Sequence, residues 1–195
     1  MHSVEVLKKQ IAPNDERIIM HASNFRKVKR IEDVIRIFDV VKKAVPSKLI
    51  LVGDGPERHM AEELARKLGV DEDVRFVGKQ EQMEEILAVS DLFLLPSEYE
   101  SFGLAALEAM AAGEVVISTN VGGLPEIVQH NITGFMANVG DVDTMSNYAI
   151  GILQDEQKLQ AMKEAAFLHA SNFDITNIIP LYEKLYSRFC RLTIA

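Results

Sequence analysis

The chain has 195 residues, enough for one domain with a sizeable hydrophobic core. Its formal net charge of -8 argues against broad binding to nucleic acid or to an anionic membrane, while leaving room for a small basic pocket. The single cysteine, Cys190, cannot form an internal disulfide and has no nucleophile context. Met1–Gln10 lacks a signal-peptide core and no apolar run nears the ~20 residues that span a bilayer, so the reading is a cytoplasmic protein.

Residues 1–16 read as a polar lead-in with one helical stretch. Arg17–Ser23 reads as a first strand, and Ile31, Val34, Ile35, Phe38 and Val41 form one helical stripe that Pro46 ends. Lys48–Val52 is a second strand. The turn Gly53-Asp54-Gly55-Pro56 leads into a helix reaching about Leu68, with Pro56 suited to its start. Val74–Val77, Leu92–Leu95, Val115–Thr119 and Gly134–Ala137 are further strands. Between them lie helices over Glu81–Val89, Leu104–Ala112 and Leu124–Gln129. From Asp141 the pattern is helical, with Asp141 or Asp143 able to cap. Helices over Asp155–Ala170 and Ile175–Leu192 follow, broken near Ser171–Asp174. The organisation is a lead-in (1–16), a domain (17–170) and a C-terminal helix (171–195).

Six short strands alternating with helices predict a doubly wound, Rossmann-like α/β fold: a six-stranded parallel sheet with helices on both faces. Such sheets bind ligands beyond the carboxyl ends of their strands. The informative loops are therefore Asn24–Arg30, Gly53–Pro56, Gly78–Gln80, Pro96–Gly103 and Asn120–Leu124. Familiar devices are missing. Arg58 stands at the third glycine position of a dinucleotide loop, there is no GxxxxGK[ST] and no GxSxG, and the five histidines have no metal-ligand spacing.

The strongest pattern is Pro96-Ser97-Glu98-Tyr99-Glu100-Ser101-Phe102-Gly103-Leu104-Ala105-Ala106-Leu107-Glu108-Ala109-Met110. It leaves a buried strand, crosses a polar turn and enters a helix. Glu100 precedes the helix, and Glu108 lies roughly 12 Å further along at 1.5 Å per residue. The two carboxylates cannot form one close dyad, but they can meet two ends of an elongated ligand. Unpaired amides near Ser101–Leu104 and the positive helix end favour an anion, and Gly103 permits close backbone approach.

This stretch resembles the E-x7-E pattern of retaining GT-B glycosyltransferases of family 4. Val52-Gly53-Asp54-Gly55-Pro56-Glu57, Phe76-Val77-Gly78, Asp91-Leu92-Phe93-Leu94-Leu95-Pro96-Ser97 and Val121-Gly122-Gly123-Leu124-Pro125-Glu126 resemble further family segments, in order, over nearly the whole chain. The resemblance implies the C-terminal, donor-binding half of a two-domain transferase using a UDP-sugar, with retention of configuration and without a metal or other cofactor. It gives Glu108 the ribose hydroxyls, Glu100 the donor-sugar hydroxyls, and the amides of Ser101, Phe102, Gly103 and Leu104 the diphosphate. Lys79 and Gln80 would lie near the base, and Gly122 and Gly123 would shape the loop beside the donor. Lys29 and Glu100 are the implied catalytic residues.

The family carries an arginine and, five residues on, a lysine that neutralise the diphosphate. Lys29 fits the lysine, Asn24 stands at the arginine position, and Arg26 is the remaining candidate for the second charge. Lys27 and Arg30 read as surface charge. Ser23-Asn24-Phe25-Arg26-Lys27-Val28-Lys29-Arg30 resembles the branch of the family that transfers GlcNAc from UDP-GlcNAc to L-malate in bacillithiol synthesis. Ala112 and Glu114 differ from that branch, at positions expected away from the donor site. An N-terminal acceptor domain would be a required partner. Without it the late helices should expose apolar surface open to self-association. A different UDP-sugar transferase, an epimerase and a non-catalytic nucleotide-binding module remain open readings.

Overall fold

The computed structural model describes residues 2–81 and 83–192. Its strands are β1 (Arg17–Ser23), β2 (Ser47–Gly53), β3 (Val74–Gly78), β4 (Leu92–Leu95), β5 (Val115–Thr119) and β6 (Gly134–Ala137). All pair in parallel in the order β3-β2-β1-β4-β5-β6. The six-stranded, doubly wound sheet predicted above is therefore present. The strand order reverses between β1 and β4, and open sheets of this type carry their ligand crevice at such a point.

The helices are α1 (His2–Ile11), α2 (Ile31–Ala44), α3 (Arg58–Leu68), α4 (Met83–Leu87), α5 (Leu104–Ala111), α6 (Leu124–Ile127), α7 (Val142–Leu153), α8 (Glu156–Ala170) and α9 (Ile175–Leu192). Alternate strand residues feed two cores, one on each face. Ile19, Leu49, Leu51, Leu92 and Ile117 join α2 and α7. Ile18, Met20, Ile50, Phe93 and Val116 join α5, α6 and the end of α8. Fully burying such a side chain contributes about 1.5–3 kcal/mol, so truncating Phe93 to alanine should cost roughly 3–5 kcal/mol. The Ala-rich α5 buries Ala106 and Ala109, and their small side chains let α8 pack closely against it.

Several elements differ from expectation. The lead-in is not merely polar: Ile11 and Ala12 are buried in the second core. Helix α3 starts at Arg58, two residues after Pro56, which belongs to the preceding turn. Helix α4 is shorter than Glu81–Val89. It ends where Ser90 turns back, its hydroxyl donating to the carbonyl of Ile86 at 2.9 Å. Asp141 caps α7, accepting from the Thr144 amide at 3.1 Å.

The two late helices behave differently. Helix α8 buries Leu159, Met162, Ala166 and Ala170. Helix α9 leaves Ile175, Ile179, Leu181, Tyr182, Leu185 and Tyr186 exposed. The side chain of Cys190 lies outside the described residues. Among the described residues no helix is long and apolar enough to cross a membrane.

Candidate functional site

The loops after β1 and β4 meet at the switch point. Lys29 ends the 3-10 turn Lys27–Lys29, and its Nζ lies 2.5 Å from Oε1 of Glu100. The same carboxylate oxygen accepts from the Ser97 hydroxyl at 2.9 Å. Ser97 is in turn held through its carbonyl, which accepts from the buried Thr119 hydroxyl at the end of β5. The Glu98 amide donates to the carbonyl of Val28 at 2.8 Å, tying one loop's backbone to the other's. Glu100 is 9% exposed, so its charge is only partly hydrated and the lysine is its main counter-charge.

Two glycines let the neighbouring loops close in. A Cβ on Gly122 would stand 1.6 Å from the Glu100 carbonyl, and the residue sits at φ +55. The amide of Gly123 donates to that carbonyl at 3.2 Å. On the other side, a Cβ on Gly53 would stand 1.8 Å from the Ser23 carbonyl at φ +120. Both conformations suit glycine, and the clashes explain why nothing larger fits. The Gly53-Asp54-Gly55 turn therefore buttresses the β1 loop.

Helix α5 begins immediately after Glu100-Ser101-Phe102-Gly103. Gly103 precedes it with φ 96, and no side chain caps the helix start. The amides of Leu104 and Ala105 come before the first intrahelical bonds, those from Ala106 and Leu107 to Gly103. Ser101 and Leu104 are exposed at this end, whereas the half-buried Phe102 ring packs edge-on against Phe173 with centroids 6.1 Å apart. The helix start thus presents amides and little competing polar side chain.

Of the basic-loop residues, Asn24 and Arg26 are exposed, and Arg26 has no ion-pair partner among the described residues. Arg30 is not a free surface charge: it adopts a left-handed φ of 51 and its Nε meets Asp33 at 2.6 Å, a contact that raises the guanidinium pKa.

Glu108 is exposed on α5 and lines a cavity of about 580 Å³ with Glu81, Glu84 and Leu87 across from it. Glu81 directly follows Lys79 and Gln80, both exposed, and shares the cavity with Glu108. Gln80 folds back, donating to the Val77 carbonyl at 2.6 Å. Ala112 was expected away from the donor site, yet it lines the Glu108 cavity because it lies one helical turn beyond Glu108. Glu114, the other residue that differs from the family branch, directly follows the turn at residues 112–113. It is fully buried at the start of β5.

Four polar residues at the site escaped the sequence reading: Ser97, Thr119, His21 and Ser23. Ser97 lies three residues before Glu100, and Thr119 ends an apolar strand. His21 and Ser23 stand two apart on β1, hence on one face of it. That spacing was the available signal, since a polar pair at a strand's carboxyl end in such a fold borders the crevice.

A family model described as glycosyl transferases group 1 matches residues 4–169. The chain is 45% identical over 182 residues to N-acetyl-alpha-D-glucosaminyl L-malate synthase of Bacillus anthracis, covering 92% of this chain and 48% of that protein. It is 35% identical over 137 residues to D-inositol 3-phosphate glycosyltransferase of Corynebacterium urealyticum, covering 69% of this chain and 32% of that one. Among solved structures, the Anabaena Alr3699/HepE complex with UDP superposes with a TM-score of 0.86 at 27% identity, over 95% of this chain and 53% of HepE. The chain thus spans about half the length of the synthase and of HepE, and a third of the inositol phosphate enzyme.

Proposed function

Because the chain belongs to the group 1 glycosyl transferases, we propose that it is the donor-binding half of a retaining transferase that uses UDP-GlcNAc and delivers the sugar to L-malate. The observation that carries this reading is the meeting of Lys29 with Glu100 at the switch point, one turn before the open amides of α5. Cation, carboxylate and helix start line up along one edge as a sugar diphosphate needs.

In the proposed mechanism the α5 amides and Lys29 neutralise the diphosphate, with Arg26, which has no ion-pair partner among the described residues, as a second cation. Asn24 flanks them. Glu100 takes hydroxyls of the sugar, and Glu108 takes the ribose hydroxyls as a two-oxygen acceptor. Lys79 and Gln80 border the base. The acceptor hydroxyl oxygen bonds to the sugar's anomeric carbon as the bond from that carbon to the UDP oxygen breaks. The acceptor's proton passes to the departing phosphate. No metal has a part in this scheme, so a chelator should leave UDP affinity unchanged.

The acceptor is held, in this reading, by an N-terminal domain corresponding to the part of the synthase's length that this chain does not cover. The exposed apolar side of α9 would face that domain, and would mediate self-association when it is absent. The lone cysteine fits a cytoplasmic setting. The test is product analysis with UDP-GlcNAc and L-malate. This chain alone should give little or no GlcNAc-malate, and adding an acceptor domain of the synthase type should restore it. Robust turnover by the pure chain would overturn the division of labour.

A further inference from the structure

The β1–β4 ladder is short. It runs only through Ile19↔Leu92 and Met20↔Phe93, whereas β1 stays paired with β2 to Ser23↔Gly53 and β4 with β5 to Leu95↔Ser118. The sheet therefore forks after Met20, and the next residue of β1 is His21. Its side chain is fully buried in the fork, with ring centroids 6.3 Å from both Phe25 and Phe93.

Both imidazole nitrogens are engaged, and the chemistry fixes their roles. Nδ1 lies 2.8 Å from the Leu94 carbonyl, which can only accept, so Nδ1 carries the proton. Nε2, 2.8 Å from the Ser23 hydroxyl, is then the acceptor. The Ser23 oxygen in turn accepts from the Phe25 amide at 3.2 Å. A directed chain thus runs from the Phe25 amide through Ser23 and His21 to the β4 backbone. It replaces the strand ladder where that ladder stops.

Phe25 has φ 38, a costly conformation for a bulky residue. It is held there by burial, by the Ser23 hydroxyl, and by its own carbonyl accepting from the Glu57 amide at 2.9 Å. This bend carries residues 27–29 back over the β4 loop, where Val28 receives the Glu98 amide and Lys29 reaches Glu100.

We propose that His21 is a positioning residue of the donor site: through Ser23 it holds the Phe25 bend and so sets Lys29 against Glu100. The assignment rests on the donor-site reading above. Burial, with the Lys29 charge adding to it, lowers the imidazole pKa to about 4 against the opposing Leu94 contact. The ring therefore stays neutral and the chain keeps its direction at ordinary pH.

The test uses the full chain with His21→Phe, which keeps an aromatic ring in the fork but removes both hydrogen bonds, and Ser23→Ala, which cuts the middle link. Amide hydrogen exchange is followed at Phe25 and Glu98, with the core amide of Ile19 as the monitor of global unfolding. Exchange at Phe25 and Glu98 should rise about tenfold or more in both variants, with Ile19 far less affected. Glu98 hydrogen-bonds to neither altered side chain among the described residues, its amide donating to Val28 instead, so a packing role alone would leave it unchanged. UDP affinity, read in parallel by calorimetry, should fall about five- to twentyfold in either variant. It should fall no further when His21→Phe is added to Lys29→Ala, because the two act in series. Unchanged exchange at Glu98 in both variants overturns the proposal whether or not UDP binds. So does an undiminished affinity loss in the Lys29→Ala background. Failure of the wild type to bind UDP counts against the donor-site reading, and the exchange measurement still decides the role of His21.

Discussion

Lys29 and Glu100 lie 71 residues apart in the chain, yet their charged atoms are 2.5 Å apart across the fork between β1 and β4. The lysine is thus already partnered before any anion arrives. A diphosphate that recruits Lys29 must draw it from Glu100, and a sugar hydroxyl must then take over the carboxylate.

This competition gives two variants opposite signs. Lys29→Ala should weaken UDP and UDP-GlcNAc alike by about tenfold to a hundredfold, the loss of one charge-assisted contact of about 1.5–3 kcal/mol. Glu100→Gln frees the lysine and removes a negative charge beside the phosphates, so UDP should bind severalfold tighter. The same variant should lose most of any preference for UDP-GlcNAc over UDP. Calorimetry with both ligands checks this, and Glu100→Gln weakening UDP as much as Lys29→Ala would contradict it.

Gly122→Ala tests the clamp on the Glu100 turn. The new methyl would meet the Glu100 carbonyl in a left-handed backbone, so a loss of roughly 2–4 kcal/mol is expected, together with weakened UDP binding. Gly69→Ala is the control. It shares the positive φ, at +71, but nothing lies within 4 Å of its Cβ, so it should cost only about 1–2 kcal/mol and leave UDP affinity unchanged. Urea unfolding of both variants decides; equal losses would mean that the contact with Glu100 carries no energy.

Glu114 predicts the pH dependence of stability. It is fully buried, and neither carboxylate oxygen has a hydrogen-bond partner among the described residues. Burial pushes its pKa well above the usual carboxylate value; the Lys163 charge opposes this and Asp91 adds to it. The folded state therefore holds a proton that the unfolded chain releases near pH 4.5. Its contribution is fully present below that pH and declines as pH rises toward the folded pKa. His21 has the opposite sign: its lowered pKa contributes stability above about pH 6.5 that is lost as pH falls toward about 4. Because His21 is common to both proteins, it cancels when Glu114→Gln is compared with wild type. Urea unfolding from pH 5 to 8 should show the variant gaining on the wild type as pH rises. A constant difference would place the Glu114 proton elsewhere.

The sheet was legible because its strands are short apolar runs bounded by turn residues. Arg17–Ser23, Leu92–Leu95, Val115–Thr119 and Gly134–Ala137 all coincide with the observed strands. Lys29 and Glu100 were legible from spacing within a family pattern, because each lies a fixed distance from a strand end. His21 and Thr119 were not, since a polar residue inside an apolar strand carries no sign of its partner. The partner of His21 is on β4, a neighbour of β1 only because the strand order reverses there, and sequence order does not disclose that. That Ala112 lines the Glu108 cavity was not legible for a similar reason, as it depends on how α4 lies against α5.

The most direct measurement is a calorimetric titration of this chain with UDP and UDP-GlcNAc, alongside Glu108→Ala. Glu108 is exposed on α5, so the variant should fold as the wild type does. The donor-site reading predicts saturable binding by the wild type and a loss of about tenfold to a hundredfold in the variant, as a charged contact to ribose is removed. Equal binding by the two proteins, or none by the folded wild type, would contradict it.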